Sequence, residues 1–155
     1  MVIEKPYAED FAEINEIAKD VHDQHVAYRP DIYRMVEHPI SQNFFTELLG
    51  MDEIFIAKEN DIITGYVITR YKEANNPICF ARKKIIVEAL AIKKEFRNQG
   101  LGTQLMDFVT KLAVQRGCSD IELTVNPENT GAIVFYEKLG MKVKNIKYMM
   151  TVNRQ

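Results

Sequence analysis

The stretch EFRNQGLGTQL, Glu95 to Leu105, sets Gly100 and Gly102 one residue apart, behind Arg97 and ahead of an apolar run with helical spacing. The start of a helix offers unpaired backbone N–H groups and about half a unit of positive dipole charge, so it can hold an anion. Glycines at that point remove the Cβ atoms that would keep a phosphate away, and Arg97 adds a fixed positive charge. Together these features predict a pyrophosphate cradle. The plain alternative is a helix start that uses glycine for turn geometry. Just upstream, Glu88 interrupts the apolar run KKIIVEALAI. Strand alternation groups it with Ile86, Leu90 and Ile92, a row in which a carboxylate loses hydration and holds its proton more tightly. Such a group suits a general base. The alternative is that Glu88 faces solvent at a splayed strand end or pairs with a nearby lysine such as Lys84.

Other readings of the glycines fare less well. A Walker P-loop needs Lys and then Ser or Thr after its last glycine, whereas Thr103 follows Gly102 here with no lysine. A Rossmann G-x-G-x-x-G needs Gly or Ala where Leu105 stands, although Glu122 lies about 20 residues on, where a ribose-binding acid is expected. His22, His25 and His38 invite a metal reading, but no C-x-x-C or H-E-x-x-H pattern accompanies them, so no metal is expected. His25 is expected to fill part of a core stripe and His22 to be solvated.

The elements that must position these residues follow from periodicity. MVIEK reads as a short strand. After Pro6, the spacing of Phe11, Ile14, Ala18, Val21 and His25 predicts a helix that ends near Pro30, because proline disfavours helix in the residue before it. A second helix is expected over Ser41 to Leu49 with Ser41 as its cap. EIFIAKENDIITGYVITRY predicts a hairpin turning at Glu59 to Asp61. KKIIVEALAI reads as a central strand buried on both faces. Leu101, Leu105, Phe108, Val109, Leu112 and Ala113 mark an amphipathic helix ending at Gly117. Ile121, Leu123 and Val125 alternate inward as a strand, ENTGAIVFYEKLG is a helix stopped by Gly140, and MKVKNIKYMMTV is expected to supply one or two further strands. The order gives one α/β domain over 1–155, with a mostly antiparallel sheet and one strand–helix–strand crossover.

Composition agrees with such a domain. The 155 residues carry a formal charge of -2, with 46% hydrophobic and 27% charged side chains, as in globular rather than disordered chains. Near-neutral charge leaves no nucleic-acid footprint. No apolar run approaches the roughly 20 residues of a spanning helix, so no membrane partner is expected. The N-terminus lacks the basic-then-apolar layout of a signal peptide, which makes the cytoplasm the default expectation. Cys79 and Cys118 lie far apart and are read as two reduced thiols.

RNQGLG resembles the Q/R-x-x-G-x-G/A signature of the GNAT superfamily of N-acetyltransferases, and it stands, as there, between a central strand and a long helix. NTGAIVFYEKLGM resembles the family's N-x-x-A-x-x-F-Y-x-K-x-G-F, departing at Met141 where phenylalanine is usual, a volume-tolerant change. The two blocks stand at the family's separation. The resemblance is close over about Ile85 to Met150, and the N-terminal half matches in element order only.

The resemblance implies a GNAT fold, a mixed, mostly antiparallel twisted sheet flanked by helices, and acetyl-CoA as cosubstrate with no metal. It places the pyrophosphate on the loop of Arg97, Asn98, Gln99, Gly100, Leu101, Gly102 and Thr103, and pairs the pantetheine arm with the backbone of Leu90, Ala91 and Ile92. Asn129 matches an asparagine that commonly contacts the cofactor, and its plain role is a helix cap. On pattern alone Tyr136 is a core tyrosine beside Ala132, Phe135 and Leu139. The FYEKLG match implies instead a place near the thioester sulfur, where its hydroxyl donates to the departing thiolate. Direct attack by a primary amine would then have Glu88 as general base and Tyr136 as general acid.

The resemblance also implies that the segment DVHDQHVAYRPDIY flanks the acceptor, as its family counterpart usually does, and its Asp20, Asp23, Tyr28 and Tyr33 are carboxylates and aromatics that suit a cationic amine. The acceptor class stays open between small molecules (antibiotics and polyamines among them), peptide N-termini and protein lysines, and a homodimer is an expected assembly to test. The competing functional class is a non-catalytic GNAT-like CoA-binding sensor that regulates a partner. Retention of Glu88 and Tyr136 weighs against it.

Overall fold

The computed structural model describes residues 1–153 and divides into two compact units, Met1–Thr124 and the residues from Val125 onward. In the first unit, β1 (Val2–Glu4), β2 (Ile54–Glu59), β3 (Ile62–Ala74), β4 (Arg82–Ile92) and β5 (Asp120–Leu123) form one sheet in the order β1-β2-β3-β4-β5. The first four strands pair antiparallel, and β5 lies parallel to β4, from which it is separated by the crossover helix α3 (Leu101–Gln115). This is the expected mixed, mostly antiparallel arrangement.

Helices α1 (Phe11–Tyr28) and α2 (Gln42–Gly50) cover one face of that sheet. Ile14, Ile17 and Ala18 of α1 and Phe45 and Leu48 of α2 pack on Ile54, Ile56, Ile63, Tyr66, Ile68 and Ala91. Each fully buried large apolar side chain contributes about 1.5–3 kcal/mol. Ser41 caps α2 as expected, its Oγ accepting from the Phe44 N–H at 3.1 Å. Leu101, Leu105, Met106, Val109 and Ala113 form the buried stripe of α3, and Phe108 meets Phe55 of β2 with ring centroids 4.8 Å apart. The β2–β3 hairpin turns through Asn60 and Asp61, both at positive φ (49° and 63°), as a two-residue turn matched to the strand twist requires.

The C-terminal unit holds α4 (Thr130–Lys138), whose first turn is capped by Asn129 Oδ1 accepting from the Ala132 N–H at 3.2 Å. Gly140, at φ 88°, ends it. Two expectations fail beyond β4. The strand read through Val125 stops at Leu123. The strands expected in MKVKNIKYMMTV are absent among the described residues, where Val143, Ile146, Tyr148, Met150 and Val152 are exposed. An apolar pattern makes a strand only where a neighbour takes up its backbone N–H and C=O groups. Among the described residues no helix is long and apolar enough to cross a membrane.

Candidate functional site

The site is built on the second half of β4. Up to Val87, β4 is paired on both sides, with β3 and with β5 (Lys84 opposite Asp120 through Val87 opposite Leu123). Beyond Val87 no β5 partner follows, and from Ala89 to Ile92 only the β3 side is paired among the described residues. Leu90, Ala91 and Ile92 therefore lie on a stretch of open sheet edge, the place where an extended ligand can add as a further strand.

A bulge sits where the edge opens. Thr69 pairs with Val87 and Ile68 with Ala89, so Glu88 is the extra residue on β4. Directly opposed residues share a face of the sheet. Ile86, opposite Arg70, lies on the α1/α2 face, and Ala89 and Ala91 pack into the α1/α2 core. Leu90, opposite Val67, falls on the α3 face. The bulge thus breaks the uniform row of Ile86, Glu88, Leu90 and Ile92 expected from simple alternation. It also corrects the expectation that Glu88 is desolvated, because Glu88 is exposed and Ile85, Val87 and Ala91 are the residues of β4 that are buried. Nor does Glu88 pair with Lys84, whose Nζ lies 2.7 Å from Glu122 Oε2.

The end of β4 is fixed against β3. The Lys93 N–H donates to the Thr64 carbonyl at 2.8 Å, and Gly65 lies opposite Ile92. A Cβ at Gly65 would stand 2.6 Å from the Ala91 carbonyl oxygen and 2.7 Å from Ile92 Cδ1, so only glycine permits this approach. The chain then passes through one short helical turn, Lys94–Phe96, into the glycine loop. Arg97 Nε donates to the Ile92 carbonyl at 3.0 Å and ties the loop back to the strand. Arg97 is half-buried as a residue, and its guanidinium has four further N–H donors for other partners.

Asn98 (φ 61°) and Gly100 (φ 80°) turn the chain into α3. Gly100 is the N-cap residue and provides no side-chain cap, so the first amides of α3 have no side-chain acceptor. A Cβ at Gly100 would meet nothing within 4 Å, so φ selects glycine there and the space in front of the loop is open. Asn98, Gln99, Gly100 and Thr103 are exposed, Gly102 is half-buried, and Leu101 is buried under the loop. An uncapped helix start behind open space suits an anion, and the bare β4 edge leading to it suits an extended arm. The residues present therefore fit a ligand with a linear portion and a pyrophosphate.

Asn129 and Tyr136 belong to the C-terminal unit. Asn129 has the capping role described above. Tyr136, on α4, packs edge-on to Phe135 at 5.0 Å, and burial pushes its hydroxyl above the ordinary tyrosine range. The histidines have local partners: His22 Nε2 lies 2.7 Å from the Arg34 carbonyl oxygen, His25 contacts the Tyr33 ring at 5.6 Å, and His38 contacts Phe11 at 5.6 Å. Among the described residues no group of three or more His, Cys, Asp or Glu side chains is arranged to hold a metal ion. Asp23 is drawn to Lys19 at 3.1 Å, and Tyr33 packs on the two histidines.

One cluster was not anticipated. Arg70 on β3 is flanked by Glu53, Nε to Oε2 3.0 Å, and by Glu47 of α2, Nη2 to Oε1 2.9 Å, and its guanidinium lies over Phe44 at 5.7 Å. Its signal in the sequence is a charge inside the apolar strand YVITRY, with Glu53 directly before the apolar run of β2.

A model of the family described as "Acetyltransferase (GNAT) family" matches residues 13–141. The probable N-acetyltransferase san of Drosophila melanogaster is 30% identical over 116 residues, which cover 72% of this chain and 60% of the fly protein. The chain therefore spans less than two thirds of that relative's length. Among solved structures, a mutant of the BH1408 protein from Bacillus halodurans superposes with a TM-score of 0.93 at 22% identity, covering 99% of this chain and 100% of that one. The aminoglycoside N-acetyltransferase AAC(6')-Iy in complex with CoA superposes with a TM-score of 0.71 at 17% identity, covering 99% of this chain and 100% of that one. These structures share the GNAT fold with this chain. With a family match running from α1 to the end of the second sequence block, the chain belongs to the acetyltransferase (GNAT) family.

Proposed function

We propose that this protein transfers an acetyl group from acetyl-CoA to a primary amine by direct attack. The observation that carries the reading is the open edge of β4 from Glu88 to Ile92, running into the uncapped, glycine-opened start of α3. In this reading the backbone of Leu90, Ala91 and Ile92 pairs with the pantetheine arm. The amides of the Arg97–Thr103 loop hold the pyrophosphate, and Asn129 adds a contact. A CoA-bound GNAT-fold neighbour supports the choice of ligand. Acetyl-CoA supplies an activated thioester carbonyl when bound.

Proton handling falls to the chain's own side chains. An amine with pKa near 10.4 is neutral in about one molecule in a few thousand at pH 7, and only the neutral form attacks. Glu88, exposed on the bulge beside the open edge, is the proposed base and takes that proton directly or through a water. Tyr136 is the proposed acid. Burial keeps its phenol protonated at neutral pH, available to donate to the departing thiolate.

Purified protein is expected to show a CoA-dependent rise in Tm, and Tyr136→Phe is expected to lower kcat more than it weakens CoA binding. Unchanged turnover removes Tyr136 from the chemistry. Firm CoA binding without acetyl transfer to any amine would instead identify a CoA sensor.

A further inference from the structure

Glu88 is exposed, and an exposed carboxylate on a strand samples several rotamers unless something directs it. The α1/α2 face supplies a directing charge. Arg70 and Ile86 are directly opposed across β3 and β4, and Glu88 is two residues along β4 from Ile86, at the bulge. Glu88 is the extra residue between Val87, opposite Thr69, and Ala89, opposite Ile68, so it lies within two residues of the β4 position opposed to Arg70.

Arg70 is itself held on three sides. Glu53, with a side chain only 3% exposed, fixes the guanidinium from the β2 side, while its Oε1 accepts from the Tyr71 N–H at 2.9 Å. Glu47 holds it from α2, and the Phe44 ring lies under it. The side chain remains 21% exposed, so part of the guanidinium is presented to the surface. A guanidinium locked in this way is a fixed point of positive charge beside the bulge.

We propose that Arg70 is a positioning residue: pinned by Glu53, Glu47 and Phe44, it directs the Glu88 carboxylate at the bulge of β4 and so sets the aim of the proton acceptor. The coupling acts through space. Glu47 chiefly, with Glu53 and Glu88 adding, holds the Arg70 guanidinium above its ordinary range, in keeping with the short step from Arg70 to Glu88 across the β3–β4 pairing. The role rests on the reading of Glu88 as base.

The test is a double-mutant cycle on thiol release from acetyl-CoA, using the amine that wild type acetylates fastest from a panel of peptides, diamines and aminoglycosides. Arg70→Met is expected to lower kcat about tenfold with KM changed less than twofold, and Arg70→Lys, which keeps the charge, to restore most of the loss. In a Glu88→Gln background the Arg70→Met loss should shrink to under twofold, because the group it directs is gone. A tenfold loss that persists in Glu88→Gln, or no rescue by lysine, overturns the role of Arg70 and leaves Glu88 as base intact. Glu88→Gln with full kcat overturns both, as does the absence of release with every amine. Should Arg70→Met fail to fold, the cycle is run in Glu53→Gln, where no buried carboxylate is left unpaired.

Discussion

Glu53 and Arg70 approach to 3.0 Å where β2 begins beside β3, with the carboxylate almost fully enclosed and the guanidinium partly open. Oε2 receives no well-aligned hydrogen bond, so its partner is the Arg70 charge, whereas Oε1 takes the Tyr71 N–H at 2.9 Å. Removing one member of a buried pair strands the other. Glu53→Ala should therefore destabilise the protein by about 3 kcal/mol, since the Tyr71 amide also loses its acceptor. Urea unfolding measures this, and a loss below about 1 kcal/mol would mean the pair is solvent-screened.

Asn15 ties the segment between α1 and α2 to the core. Its amide accepts from the Ile40 N–H at 3.0 Å and donates to the Ile40 carbonyl at 3.1 Å, while 2% of Asn15 is exposed. Asn15→Ala leaves both Ile40 groups unpaired and should cost about 2–3 kcal/mol. Loss of amide-exchange protection at Ile40, with α3 still protected, is the expected local signature.

Gly65→Ala places a methyl group against the Ala91 carbonyl oxygen, at a separation of 2.6 Å that the backbone must relieve. The cost should be about 1–3 kcal/mol. Because β4 moves at Ala91 and Ile92, CoA affinity in the proposed site should fall as well. Isothermal titration separates the two effects, and unchanged affinity at lowered Tm would take the β4 edge out of CoA binding.

His25 links stability to pH. Burial first, and then the charge of His22, lower its pKa in the folded state. The unfolded chain therefore takes up a proton at a higher pH than the folded one. Stability from this group is complete above the unfolded value, about 6.5, and is lost as pH falls from there through the lowered folded value. Between pH 7 and pH 5, Tm should fall less in His25→Gln than in wild type. Equal slopes would mean that His25 does not contribute.

Much of this was legible in the residues. Periodicity located α1, α2, α3, α4 and all five strands, most plainly α1, α2, α3, β2, β3 and β4, which each bury a stripe or row of their own. Ser41, Asn129 and Gly140 act where their chemistry suggests. The glycine loop was legible because a helix start without a side-chain cap leaves a distinct local pattern. The environment of Glu88 was not, since a single inserted residue on β4 resets the alternation, and a bulge is fixed by pairing with β3 rather than by the strand's own sequence. The Arg70 cluster was hidden for a related reason: Arg70 lies 17 residues or more beyond Glu53 and Glu47 in the chain and meets them only through β2–β3 pairing and the packing of α2 on the sheet. The tail misled because its apolar residues imitate a strand that has no ladder partner here.

The central claim is acetyl transfer from acetyl-CoA, and it is most directly tested by following thiol release from acetyl-CoA with purified protein and a panel of primary amines. The account predicts amine-dependent release that Glu88→Gln and Tyr136→Phe each reduce, with product mass increased by one acetyl group. Absence of amine-dependent release across small amines, polyamines, aminoglycosides, peptide N-termini and lysine side chains would contradict it.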